Sequence, residues 1–146
     1  MESVNYSYDA STVFKTAGLI AASAAVATVV DTGGADIKVR GDMVIDVSAV
    51  EIASNDEIYD IVIQGSTVAA FATDTAIVEL CSITLSAAEV KRTDANGDCL
   101  LGRYILPFTN ERNGEIYRYL RLYTVVAGTI ATGINYTAHA APCKDV

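Results

Sequence analysis

The segment spanning residues 116–138 constrains the fold more than any other part of the chain. It is rich in aromatic, β-branched and leucine residues, which favour strands, and Gly128-Thr129 divides it into two arms. In the first arm, leucine and threonine alternate with tyrosine and arginine, so one face can enter a core while the other presents rings and a guanidinium. The pattern predicts two strands and a tight turn, in a sheet protein that works by surface contact.

Other strand candidates recur along the chain with turn signals between them. They cover residues 36–40, 42–47, 59–64, 77–85 and 103–108. Glycine and asparagine pairs such as Asn113-Gly114 supply the turns. Many short strands with regular turns predict an all-β fold, an antiparallel β-sandwich that is jelly-roll-like with an extended N-terminal segment. Residues 77–85 are mostly apolar, which predicts cover on both faces of that strand.

Size and composition favour one self-sufficient domain covering residues 1–146. A chain of 146 residues buries about 70% of its unfolded surface. Hydrophobic residues make up 51% of it and charged residues 19%, so apolar burial can offset the entropy of ordering the chain. The apolar excess also indicates that a partner covers part of the surface.

The alanine-rich run at residues 17–30 has the length of the apolar region of a signal peptide. The preceding residues include Glu2 and Asp9 and only one lysine, Lys15, so the positive region of a signal peptide is missing. The run is also too short for a comfortable membrane span. We interpret it as a buried strand, or as part of an extended arm, residues 1–35, packed on neighbours.

Charge and metal-ligand spacing exclude several functions. The net charge of −8 opposes contact with nucleic acid. The chain has an odd number of cysteines, Cys81, Cys99 and Cys143, and their spacing is not that of a zinc site. This predicts reduced thiols. His139 alone cannot build a histidine metal cluster, and we expect an ordinary surface or strand-end residue. We predict no cofactor and no metal site.

The run Asp94-Ala-Asn-Gly-Asp98 resembles the first half of a calcium loop. The glycine and the final glutamate of such a loop are replaced by Cys99 and Ile105. A turn at Asn96-Gly97 explains the run better. Ser86-Ala-Ala-Glu89 matches a capping box and predicts one or two helical turns after it.

Catalytic signatures are missing from the sequence. A serine triad would need His139, and no Gly-x-Ser-x-Gly elbow exists. The carboxylates of Glu51, Asp56 and Glu57 are close in sequence, but their setting is typical of a solvated loop. We therefore predict that the protein is not an enzyme.

The candidate interface consists of Tyr117, Tyr119, Arg121 and Tyr123, which the alternation places on one strand face. Tyrosine and arginine are enriched in the energetically dominant part of protein interfaces. The other interpretation is a second core face with Arg121 reaching outward. Alternation alone does not decide which face is inside.

Three parts of the chain resemble a known family, the capsid cement (decoration) proteins of tailed phages. The resemblance is carried by Phe14 and residues 21–33, by residues 60–66, and by Pro107, Tyr119-Leu-Arg-Leu-Tyr123, Val126 and Gly128-Thr129. It implies a β-sandwich and a structural virion protein, made in the host cytoplasm and located on the outer capsid surface.

The partners implied by this resemblance are the major capsid protein and further copies of the chain in a homo-oligomer. Neither nucleic acid nor membrane is expected as a partner. The alternative is a β-sandwich module that binds carbohydrate or forms a fibre tip, which the tyrosines permit and the absence of tryptophan weakens.

Overall fold

A computed structural model describes residues 12–87 and 98–142 of the chain. The strands within these ranges are β1 (Val13–Lys15), β2 (Leu19–Ile20), β3 (Ala24–Ala25), β4 (Val30–Asp31), β5 (Arg40–Val50), β6 (Ile58–Ser66), β7 (Val78–Ser86), β8 (Gly102–Thr109), β9 (Glu111–Arg112), β10 (Glu115–Ile116), β11 (Tyr119–Ala127) and β12 (Ile134–Pro142). A short 3-10 turn covers Phe71–Thr73. No helix in these ranges is long and apolar enough to cross a membrane.

Ten of these strands form two packed antiparallel sheets, and β9 and β10 pair with each other in a separate two-stranded hairpin. The first sheet has the order β1-β12-β5-β8, with β2 also paired to β12, and the second has the order β3-β11-β6-β7, with β4 also paired to β11. β5 and β6, β7 and β8, and β11 and β12 are consecutive long strands that lie in opposite sheets. This strand order is that of a jelly roll. The predicted all-β antiparallel sandwich is therefore confirmed.

A single hydrophobic core fills the space between the sheets, because alternate residues of each long strand point inward. Its fully buried members include Met43, Ile45, Tyr59, Ile61, Ile63, Leu120, Leu122, Ile134 and Tyr136. Thr124 and Tyr136 share a buried hydrogen bond of 2.7 Å between their hydroxyl oxygens, which joins β11 to β12 across the sandwich. Burial raises the pKa of Tyr136 to about 12.

The N-terminal segment lies along one side of the sandwich. β1 and β2 extend the first sheet at β12, while β3 and β4 extend the second sheet at β11. Lys15 fixes the start of this segment by donating to the carbonyl oxygens of Thr16, Gly18 and Tyr136, each at 2.9 Å. The alanine-rich run is not a buried strand, because residues 21–25 are exposed.

β11 and β12 do not form the simple strand pair joined by a tight turn that the sequence suggests. β11 pairs with β6, whereas β12 pairs with β5 in the opposite sheet. The connection, residues 128–133, crosses between the sheets and is held by the Glu51 carboxylate. That group accepts hydrogen bonds from the backbone N–H of Ala131, Thr132 and Gly133. The crossing requires more chain than a two-residue turn provides.

Of the three acidic residues expected in a solvated loop between β5 and β6, Asp56 is exposed and Glu51 is half-buried, but Glu57 is buried, so the prediction is wrong for Glu57. Glu57 is 0% exposed, and its carboxylate accepts hydrogen bonds from the N–H of Ser54 at 2.6 Å and of Asp56 at 3.1 Å. Asp56 in turn accepts hydrogen bonds from the N–H and hydroxyl of Thr129. These carboxylates satisfy loop N–H groups that strand pairing leaves unmatched.

Asn110 explains why residues 36–39 do not form the predicted strand, and why β5 begins only at Arg40. Its side-chain oxygen accepts from Val39 N–H at 2.8 Å, and its amide donates to Ile37 carbonyl oxygen at 2.9 Å. The buried side-chain amide of Asn110 thus satisfies backbone groups that a neighbouring strand would otherwise pair with.

Two further sequence predictions are corrected. His139 lies within β12 opposite Val44 and is 1% exposed, so it is not a surface residue. Burial lowers the pKa of His139, and the charge of Asp46 opposes this shift. β7 is not covered on both faces, because Glu79 and Ser82 are exposed.

Four features proposed from sequence fall partly or wholly on residues that the structure does not describe. They are the helical turns after Ser86, the turn at Asn96-Gly97, Cys143 and the first eleven residues of the arm.

The alternation of β11 yields a stability prediction. Leu122→Ala should lower the free energy of unfolding by about 2–5 kcal/mol, because it leaves a cavity in the core. The neighbouring Tyr123→Ala should cost about 1 kcal/mol or less, the range of a cross-strand pair on an open face. Urea unfolding followed by circular dichroism measures both. Equal losses in the two variants would contradict the assignment of inward and outward faces.

Candidate functional site

The outward face of β11 carries three of the four residues predicted as an interface. Tyr119, Arg121 and Tyr123, here called the Tyr–Arg face, are half-buried, while Leu120 and Leu122 between them enter the core. The core therefore lies on the leucine side, and the interpretation of the Tyr–Arg face as a second core face is wrong. β6 lies beside it in register, with Gln64 opposite Arg121.

Arg121 is held in place by two neighbours that are not charged. Its Nε donates to the side-chain oxygen of Gln64 at 2.9 Å. Its guanidinium carbon lies 4.3 Å from the centre of the Phe71 ring, which is 4% exposed. This geometry is a cation–π contact. Burial lowers the pKa of Arg121.

The loop after β6 positions Phe71 against the guanidinium of Arg121. The Ser66 hydroxyl donates to the carboxylate of Asp74, and the other carboxylate oxygen accepts from Ala76 N–H at 2.7 Å. The Ser66 hydroxyl oxygen also accepts from Val68 N–H at 2.8 Å. The Ser66 hydrogen bond is the main cause that lowers the pKa of Asp74.

The N-terminal segment supports the Tyr–Arg face from the other side. Asp31 in β4 lies opposite Tyr119, and its two carboxylate oxygens accept hydrogen bonds from Arg118 at 2.8 and 2.9 Å. The Arg118 guanidinium lies 5.1 Å from the centre of the Tyr119 ring. The pKa of Asp31 falls to about 2, first because of the Arg118 hydrogen bond and then because of Gly33 N–H.

Tyr117 does not share this face. It precedes β11, is 6% exposed, and donates its hydroxyl to Glu115 at 3.0 Å. Its ring packs over Gly65, where an added Cβ would lie 2.8 Å from Tyr117 Cβ. Burial, followed by the Glu115 hydrogen bond, raises the pKa of Tyr117. Tyr117 is therefore a buried packing residue beside the start of β11 and the end of β6.

The free thiols of the chain are not activated for chemistry. Cys81 and Cys99 are free thiols, and burial raises the pKa of Cys81 to about 11 and also raises that of Cys99. A thiol with a raised pKa is protonated at neutral pH and a poor nucleophile.

A shallow groove of about 390 Å³ lies between the edges of β7 and β8, beside Cys81 and Phe108. No cluster of three or more metal-ligating side chains occurs in the described ranges.

Two residues of this surface were not found by sequence reasoning. Gln64 could have been found, because alternation along β6 places its side chain on the outward face of the sheet, opposite Arg121. Phe71 carries no such signal, because its place depends on how the loop of residues 67–77 folds back.

The lowered pKa of Asp31 predicts a pH dependence of stability. Its charge stabilises the folded state above its ordinary value of 3.8, and this contribution is lost as the pH falls toward about 2. Asp31→Asn should lower the melting temperature near neutral pH, and its difference from the parent should shrink under acid. Melting followed by circular dichroism measures this. The control is Asp36→Asn, at an exposed site. A difference independent of pH would contradict the role of the ion pair.

No protein-family model matches the chain, and no curated protein is significantly similar to it.

Proposed function

We propose that this chain is a structural virion protein, a capsid cement protein that binds the outer shell and stabilises contacts between major capsid protein subunits. The observation that carries the proposal is the outward Tyr–Arg face, set on a paired strand and braced on both sides. The resemblance of residues 119–123 and of two other segments to tailed-phage cement proteins supports it. The acidic net charge of −8 suits an outer surface better than contact with packaged DNA.

The Tyr–Arg face is preorganised for binding. The leucines behind it are locked in the core, Phe71 and Gln64 hold Arg121, and Arg118 stacks on Tyr119. Side chains that are already ordered lose less entropy when a partner binds, so more of the contact energy appears as affinity. Tyrosine and arginine are also the residue types that dominate binding energy at interfaces.

A cement protein must contact more than one neighbour, and a second exposed surface is available. Leu100 and Leu101, just before β8, are 70% and 60% exposed. β8 is the edge of the first sheet, whereas the Tyr–Arg face lies on the second sheet. Large exposed apolar side chains grouped together are typical of contact sites. They offer a surface for another copy of the chain in a homo-oligomer or for a second capsid subunit.

The mechanism is the addition of buried contact area between shell subunits. A specific contact needs about 800 Å² per partner. Repetition over the shell lattice multiplies modest contacts through avidity. Internal pressure from packaged DNA must then break the cement contacts as well as the contacts between capsid subunits.

Substitution at the Tyr–Arg face tests the proposed attachment. Arg121→Ala should keep the fold and weaken binding to purified shells by about 1–3 kcal/mol, the loss typical of a hot-spot side chain. Co-sedimentation with shells measures binding, and circular dichroism checks the fold. Arg40→Ala is the control, because Arg40 is exposed at the start of β5. Equal binding by the two variants would remove this face from the contact.

Particles without the protein provide the functional test. They should still assemble a shell, because attachment follows shell formation, and should then rupture at lower temperature or milder osmotic shock once DNA is packaged. Purified protein added back should restore resistance and saturate at a fixed number of copies per shell. Absence of affinity for shells, together with retention on a glycan matrix, would replace the proposal with the carbohydrate-binding alternative.

A further inference from the structure

Arg121 differs from two other arginines of the chain in having no carboxylate partner. Arg103 binds both oxygens of Asp46, at 2.7 and 2.9 Å, and Arg118 binds both oxygens of Asp31. Arg121 forms no ion pair within residues 12–87 and 98–142, although the chain has 18 acidic residues against 10 lysines and arginines. Its positive charge is therefore fixed in position but unmatched.

The hydrogen-bond donors of the Tyr–Arg face point to the chemistry that would match this charge. In the described part of the chain, Gln64 accepts only from Nε of Arg121, and the two terminal nitrogens make no hydrogen bond. The hydroxyls of Tyr119 and Tyr123 likewise make none there. These residues alternate along one strand, about 7 Å apart, so their donors form a row on one surface.

The energetics favour an incoming anion. A cation that is partly removed from water and lacks a counter-ion costs free energy. Burial lowers the pKa of Arg121, because the charged guanidinium is partly removed from water. A carboxylate bound to both terminal nitrogens would offset that cost, because the planar fork of a guanidinium matches two carboxylate oxygens.

We infer that Arg121 is the docking point for a carboxylate on a protein partner, an Asp or Glu side chain bound by both terminal nitrogens with the Tyr119 and Tyr123 hydroxyls donating beside it. This inference rests on the proposed function for its surface and names the chemical group that the partner presents there. A polyphosphate or nucleic acid does not fit, because a net charge of −8 repels a polyanion.

A matched pair of peptides tests the inference on the purified full chain. The probes are acetyl-Ala-Asp-Ala-amide and acetyl-Ala-Asn-Ala-amide, which differ in charge and hardly in shape. Each is titrated at constant ionic strength to about 50 mM, where a dissociation constant of ~10 mM leaves about 80% of the protein bound. Chemical shifts of the residue 119–123 amides and of Arg121 Nε report binding. The Asp peptide should give saturable shifts there. The Asn peptide should bind at least about tenfold more weakly.

Variants separate this contact from general charge attraction. Arg121→Gln should weaken binding of the Asp peptide about tenfold or more, and Arg121→Lys should give an intermediate loss because the charge remains without the fork. Arg40→Gln removes the same charge at an exposed site and should leave binding unchanged. Thermal melting checks that each variant is folded. If Arg121→Gln unfolds, Tyr123→Phe and Arg121→Lys provide the comparison.

Three results would overturn the inference: no saturable shift with the Asp peptide, equal binding of the two peptides, or equal losses in Arg121→Gln and Arg40→Gln. These readouts are independent of shell binding. Peptide binding without shell attachment would reject the cement proposal and keep the carboxylate contact. Shell attachment together with any of the three overturning peptide results would reject the carboxylate contact and keep the cement proposal.

Discussion

The register of β11 is the constraint on which the rest of the structure depends. This strand is at once a wall of the core and the base of the Tyr–Arg face, and a slip of one residue would exchange the two sets of side chains. Nine residues paired with β6 oppose such a slip, as does the buried Thr124–Tyr136 hydrogen bond to the opposite sheet. The Asp31–Arg118 ion pair fixes the strand start. The stability of the core therefore also sets the geometry of the outward face.

The local part of this arrangement could be predicted from sequence, but its long-range part could not. Alternation identified β5, β6 and β11 because a half-buried strand imposes a period of two on its own residues. It could not show that β11 and β12 lie in opposite sheets, because sequence proximity does not determine which strands pair. The crossing depends on Glu51, about eighty residues away, accepting N–H groups of the connecting loop.

The same distinction applies to the candidate site. Tyr119, Arg121 and Tyr123 share a face because of local geometry, and the sequence predicted this. Tyr117 was wrongly placed with them, because the strand begins only at Tyr119 and alternation does not extend into the preceding loop. Phe71 reaches Arg121 through a loop held by Ser66 and Asp74. Contacts of that kind depend on the folded chain and leave no periodic signal.

In the proposed attachment, charge gives the Tyr–Arg face its specificity. An acidic protein repels carboxylate-bearing partners over most of its surface, so a fixed cation favours one docking position by excluding others as well as by attraction. The guanidinium of Arg121 meets this requirement because Gln64 and Phe71 hold it without neutralising it. Had a carboxylate of the chain replaced Gln64, it would also hold the arginine, but the charge of Arg121 would already be matched. A neutral support thus keeps the cation both ordered and available, which is the physical condition for selective attachment.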